Sequence, residues 1–375
     1  MMHDHPKWWV RALVGSAELI VLLGIVALVV SALGSPTDIR ILKGFLISLS
    51  GAVALQVYSG TSGVLSFGHV GFIALGAYGS ALFTASTQIK AAAIPDAPAF
   101  ILASQLPFLP AIVIGIAVAV VLAVLTGPTF VRLSGAAAAV ATLGLMVVVH
   151  TVLSNADWLT RGSRAFSGIP PYATTMWCFG GVAVVIVIAR LVRDSAYGLG
   201  LRSGREDLIA AEASGVNVER ARLVAWIVSA ALAAVSGALY AHFVLAILPN
   251  AFQFQMTFLL VTMVILGGYS VTGAVVGAVV VTILAEALRR AENGISIAGF
   301  QLTEAPGLTG VVLALIIVLI LTLRPQGMLG RWEIDELLAR FFRRSAVWRA
   351  RPDKDETGNR SMAVQVHGRE TENQK

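Results

Sequence analysis

Apolar stretches about 20 residues long follow one another from near residue 14 to residue 323, and this recurrence restricts what the chain can fold into. A helix needs roughly that length to cross the hydrocarbon core of a bilayer. Inside that layer only elements that satisfy their own backbone hydrogen bonds survive. Charged residues make up 13% of the 375 positions and hydrophobic types 57%, whereas a soluble domain carries roughly 25% charge. The chain therefore reads as an all-α, polytopic membrane helix bundle. About ten transmembrane helices are expected, at 14–34, 41–60, 64–86, 108–131, 134–154, 175–192, 222–246, 253–268, 271–288 and 308–323. Residues 1–13 form a short N-terminal segment, 14–330 the membrane domain and 331–375 a basic, partly disordered tail.

Two places in this pattern need arbitration. Lys7 and Arg11 precede the first apolar run and imitate a secretory signal. That run is longer than the core of about 7–15 residues typical of a signal, so it reads as a retained helix. The eighth and ninth spans are separated only by Gly267–Ser270, which predicts a tight hairpin or a broken pair.

The basic residues fix an orientation. With both termini in the cytoplasm, 20 of the 27 Lys and Arg fall on the inner side, as the positive-inside rule requires. The net charge of +6 thus belongs to the inner face and does not point to nucleic acid. The tail interleaves Trp332, Leu337, Phe341 and Trp348 with Arg340, Arg343 and Arg344, so Arg331–Arg351 reads as a basic amphipathic helix resting on anionic headgroups. Cys178 is the lone cysteine, and no cluster of His, Cys and carboxylates stands at ligand spacing, so no metal site is expected.

Between Gly60 and Gly79 glycines stand at 60, 63, 68, 71, 76 and 79, in pairs three apart. One reading is close helix–helix contact, where small residues let backbones approach. The other is a helix broken near Thr61–Ser66, exposing backbone groups to a cavity at membrane depth. Ser66 and His69, at i and i+3, are neighbours on one face, and Tyr78 lies farther along.

The one sizeable loop between spans, 193–222, predicts a short helix over Arg205–Ser214, preceded by Gly204 and stopped by Gly215. Glu206 and Asp207 fall in its first turn. It is either a solvated surface helix or a rigid lever whose alanines fit a groove on another protein.

Four blocks, in order, resemble the permeases of branched-chain amino-acid ABC transporters, and the likeness spans roughly residues 40–330. They are Gly60–Tyr78 (Gly60, Gly63, Ser66, Gly68, Phe72, Gly76, Ala77, Tyr78), Arg205 through Asn217, Phe252 through Gly268 with Gly273 and Gly277, and Leu323 through Gly330. The chain looks like the LivM-like member of the permease pair. The resemblance implies a bacterial inner-membrane importer with a second permease subunit, two cytoplasmic ATP-binding subunits and a periplasmic substrate-binding protein. It makes Arg205, Glu206, Ala210, Ala211, Glu212, Ala213, Gly215 and Asn217 the coupling contact with an ATPase. Gly60, Gly63, Ser66, Gly68, His69, Phe72, Gly76 and Tyr78 become the translocation pathway or a packing face. No catalytic residue and no cofactor are expected in this chain, which has no Walker motif; ATP and Mg would be used by the partner subunits. One departure is Ala136–Ala139, where the family usually has a bulky aromatic pair. It leaves urea or short-chain amides as an alternative cargo. A self-sufficient secondary transporter would need ionisable groups well inside several spans, and only Glu18 and Glu286, both near helix ends, are candidates.

Overall fold

A computed structural model describes residues 8–292, 296–297, 300–301, 308–323, 327–330 and 333. The described residues belong to one compact unit. Apart from Glu333, the amphipathic tail helix expected at Arg331–Arg351 lies outside the described residues.

The described chain is helical almost throughout. In order the helices are α1 (Trp8–Leu33), α2 (Pro36–Leu55), α3 (His69–Thr84), α4 (Thr87–Ala93), α5 (Ala99–Ala103), α6 (Phe108–Phe130), α7 (Gly135–Asn155) and α8 (Asp157–Thr160). They continue as α9 (Thr175–Asp194), α10 (Ala196–Glu206), α11 (Leu208–Ala213), α12 (Val218–Val244), α13 (Phe254–Gly267), α14 (Val271–Glu292) and α15 (Leu308–Leu323). Strand structure among the described residues is limited to two antiparallel pairings, Phe166–Ser167 with Ala246–Ile247 and Ser296–Ile297 with Phe300–Gln301.

Eight of the segments are long and apolar enough to cross a membrane: α1, α2 with a π-helical turn at Gln56–Gly60, α6, α7, α9, α12, α13 with the turn Pro249–Phe252, and α14 as far as Arg289. The tenth expected span appears as the 16-residue α15. The third, expected at 64–86, begins only at His69 and bends by 117° into α4.

Local chemistry sets the boundaries. Pro36 opens α2, where its missing N–H costs nothing, and Ser35 and Asp38 form a reciprocal capping box. Ser270 accepts from the Gly273 N–H and so starts α14 directly after α13. Positive φ at Gly268, 104°, makes that reversal possible, and the two helices form the tight hairpin.

α12 is the centre of the bundle, lying against α2, α3, α6, α9 and α10. Its contact with α3 is backbone on backbone. A Cβ at Gly76 would lie 2.2 Å from the Ala234 carbonyl oxygen, and one at Gly237 would lie 1.9 Å from that of Ile73. Hydrophobic burial gives little driving force between helices in lipid, so this close approach and its dispersion contact hold the bundle.

A second device ties the end of α9 to the start of α14. The Glu333 carboxylate, 1% exposed, reaches the Arg190 guanidinium at 2.8 Å and that of Arg193 at 3.0 Å. It also accepts from the Val271 and Thr272 N–H groups and from the Thr272 hydroxyl, capping the positive end of α14. Glu333 is thereby fastened to the root of the 193–222 loop.

A broken helix under a loop helix

The chain leaves helical geometry at Gly63, whose φ is +72°, and residues 63–66 have no regular structure. A break inside a packed bundle must satisfy its buried donors internally, and the hydroxyls around it do so. Ser62 accepts from the Val64 N–H, Ser59 from Ser66, Thr142 of α7 from Phe67, and Ser66 from Gly68.

Arg205, the penultimate residue of α10, reaches into this break. Its Nη1 donates to the Gly60 carbonyl at 3.0 Å, and its guanidinium lies 4.4 Å above the Tyr269 ring in the α13–α14 turn. A second nitrogen pairs with Glu206 at 3.2 Å. Gly63 is required here for space as well as conformation, since a Cβ would lie 2.6 Å from Arg205 Cγ. One side chain therefore joins the loop helix, the broken helix and a membrane hairpin. Beneath it is a cavity of about 150 Å³ walled by Ser59, Gly60, Gly63, Val264, Gly268 and Tyr269.

The loop differs in detail from the single helix expected over Arg205–Ser214. α10 runs through Gly204, which packs tightly against Val218 of α12. Asp207, with φ −152°, interrupts the helix and caps α11 by accepting from the Ala210 N–H at 3.0 Å. Its carboxylate competes with the helix for that donor, so it lies at a cap and not within a first turn. α11 ends in a Schellman motif: Val216 N–H bonds the Ala211 carbonyl and Gly215 N–H that of Glu212, with Gly215 at φ +82°. Asn217 then caps α12 through the Arg220 N–H. Ala211 faces inward at 5% exposure, whereas Ile209 is 81% exposed. Ala210, Glu212 and Ala213 are exposed as well. The outward apolar surface of the loop is thus Leu208 and Ile209, with Tyr197 and Leu199 of α10.

Only Gly60 and Gly63 of the glycine series line the inner cavity. Gly68 presses on Thr142 and Gly76 on Ala234. His69 bridges Ser66 and Ser229 of α12, both at 2.9 Å. Trp226, which sequence reading did not single out, centres an aromatic cluster: Tyr58, His69, Phe72 and Phe130 lie 5.0–5.5 Å from it between ring centroids. Tyr78 meets Phe252 at 6.2 Å. Past the break, then, α3 lies packed against α12, α6 and α7.

A larger cavity, about 530 Å³, opens between α2, α13 and α14. Its walls include Phe45, Ser48, Gln255, Leu259, Glu286 and Arg289. Among the described residues, no three His, Cys, Asp or Glu are grouped to hold a metal ion.

The sequence model of the family described as "Branched-chain amino acid transport system / permease component" matches residues 39–321. The chain belongs to this family. It is 28% identical over 366 residues to the high-affinity branched-chain amino acid transport system permease protein LivM of Escherichia coli K12, covering 86% of the chain and 78% of that protein. It is 29% identical over 198 residues to LivH of Salmonella typhimurium, covering 52% of the chain and 60% of that protein. The chain thus spans about 60% of the length of the LivH proteins it matches. No solved structure matches it. With eight membrane-length apolar helices among the described residues, this member of the permease family is a multi-pass membrane protein. The permease's departure at Ala136–Ala139 falls at the start of α7, where Ala136 and Ala137 are exposed and neither cavity is lined.

Proposed function

We propose that the chain is the transmembrane permease subunit of an ATP-driven bacterial importer of branched-chain or related amino acids. It sits in the inner membrane with both termini cytoplasmic, paired with a second permease, two cytoplasmic ATPases and a periplasmic binding protein. ATP and Mg act on the ATPases alone.

The observation that carries this reading is the Arg205 bridge between the loop and the broken helix. α11 offers the ATPase a compact apolar knob, Leu208 and Ile209, on the side where most basic residues gather. Approach of the two ATPases on binding ATP would displace α11 together with α10. Arg205 would then draw on the Gly60 carbonyl and on Tyr269, and residues 63–66 would bend as the hinge. Such a hinge needs a few residues that absorb a change in φ and ψ, and Gly63 is one. The family match, the positive-inside distribution and the cavity beneath Arg205 support the same reading.

Ile209→Asp tests the docking. A buried apolar anchor in an interface is worth about 2 kcal/mol or more, roughly a 30-fold change in affinity. The variant should reach the membrane at the wild-type level, because Ile209 touches little of its own chain. In mild detergent it should lose most of the co-purifying ATPase, and its uptake should fall with it. Wild-type co-purification and uptake would remove α11 from the interface.

A further inference from the structure

The two cavities lie on different faces of α13. The larger is lined by α2 from Ile41 to Ser48 and by α13 up to Met263; the smaller by Ser59, Gly60 and Gly63 beyond α2 and by α13 from Val264. Met263 and Val264 are consecutive, but at about 100° per residue the two sets of lining residues point to different sides of the helix. Between the two sets Leu260 lies against Gly51, where a Cβ would stand 3.3 Å from its Cδ2.

The larger cavity carries one pair of opposite charges. Glu286 and Arg289, three apart on α14, meet through two contacts of 2.9 Å each, Arg289 Nε and Nη2 donating to the two carboxylate oxygens. Glu286 lies about 22 Å along the axis from Val271, at the end of the bundle opposite the loop. Below the pair the wall is apolar, with Phe45, Met256, Leu259 and Met263, and is interrupted by Ser48, Gln255 and Thr282.

We infer that this cavity is the entry site for a zwitterionic α-amino acid with an uncharged side chain. This rests on the amino-acid import reading above and adds the place and the residues. The guanidinium of Arg289 is a planar fork for the ligand's α-carboxylate. Glu286 accepts from its α-ammonium, so the ligand inserts into an ion pair that already exists and leaves neither charge without a partner. The methionines and Leu259 take the side chain, and Met suits branched shapes because its thioether repacks. A ligand with a charged side chain would bury that charge against apolar wall, which is costly. The volume is within the range of small-molecule sites, about 300–1,000 Å³.

The test uses the full transporter in proteoliposomes with ATP and its binding protein, and radiolabelled leucine as probe. Arg289→Ala and Glu286→Gln should each lower uptake at least ten-fold, with ATPase co-purification and thermal stability unchanged. The exchange Glu286→Arg with Arg289→Glu keeps an ion pair but turns its charges end for end over the apolar wall, and should stay as impaired as the single variants. Met263→Trp, which fills the cavity away from the charges, should also block uptake. Restoration of uptake by the exchange would show that the pair is only structural and overturn the site; unchanged uptake in the single variants would do the same. If the wild-type assembly itself drives no amino-acid uptake, the import reading fails together with the site.

Discussion

Replacing Glu333 with alanine is expected to destabilise the folded protein by about 3–5 kcal/mol, the usual cost of removing one partner from a buried ion pair. The side chains left behind, Arg190 and Arg193, are 1% and 6% exposed and face the carboxylate directly. Arg190 cannot swing away easily, since its guanidinium fills the space where Gly15 has no side chain. The N-terminus of α14 loses its acceptor at the same time. Glu333→Gln keeps the shape and some hydrogen bonds but not the charge, and should fall between. Denaturant titration in detergent reads the loss. A second change, Arg190→Met in the alanine variant, should recover part of it by removing one uncompensated charge. A loss below about 1 kcal/mol would mean that water reaches the cluster and that it fastens nothing.

Arg205→Lys is expected to uncouple the machine while leaving it assembled. The variant should retain its ATPase in detergent and continue to hydrolyse ATP, with uptake at least ten-fold lower. A hydrogen bond from a charged donor is worth about 1.5–3 kcal/mol, and stacking a cation on an aromatic ring about 0.5–2 kcal/mol. Lysine keeps the charge but lacks the planar fork that lets arginine bond Gly60 and cover Tyr269 together. Gly63→Ala should behave similarly from the other side of the contact, because its Cβ collides with Arg205 and its φ of +72° disfavours any side chain. Losing ATPase binding and uptake in step would make Arg205 a folding residue and no transmitter. Normal uptake in Arg205→Lys would remove it from the coupling path.

The sequence made the bundle legible because each span carries its own signal: length and hydropathy are local properties. It also showed the adjacency of Ser66 and His69, which depends only on helix periodicity. The start of α3 was less legible. Glycine pairs read the same in a continuous packing helix as in a broken one, and the decisive groups are the hydroxyls of Ser59, Ser62 and Ser66 together with Thr142. Three of those four lie within the segment, so a cluster of serines beside Gly60 and Gly63 was the available clue. In the loop, alanine-rich composition drew attention to Ala211, yet a six-residue helix has too few turns for its pattern to reveal which face is covered. The structure buries Ala211 and presents Ile209. Glu333 and Trp226 were beyond sequence reading altogether. The partners of Glu333 are some 60 and 140 residues away along the chain, and Trp226 gathers rings from other elements. Nothing beside either residue announces such contacts.

The most direct measurement is leucine uptake by vesicles holding the purified chain, first alone and then with its second permease, ATPases and binding protein. The expected result is leak-level uptake by the chain alone, and rapid uptake by the assembly only with hydrolysable ATP. Full-rate uptake by the chain alone, with no nucleotide present, would contradict a bundle driven through its loop helix.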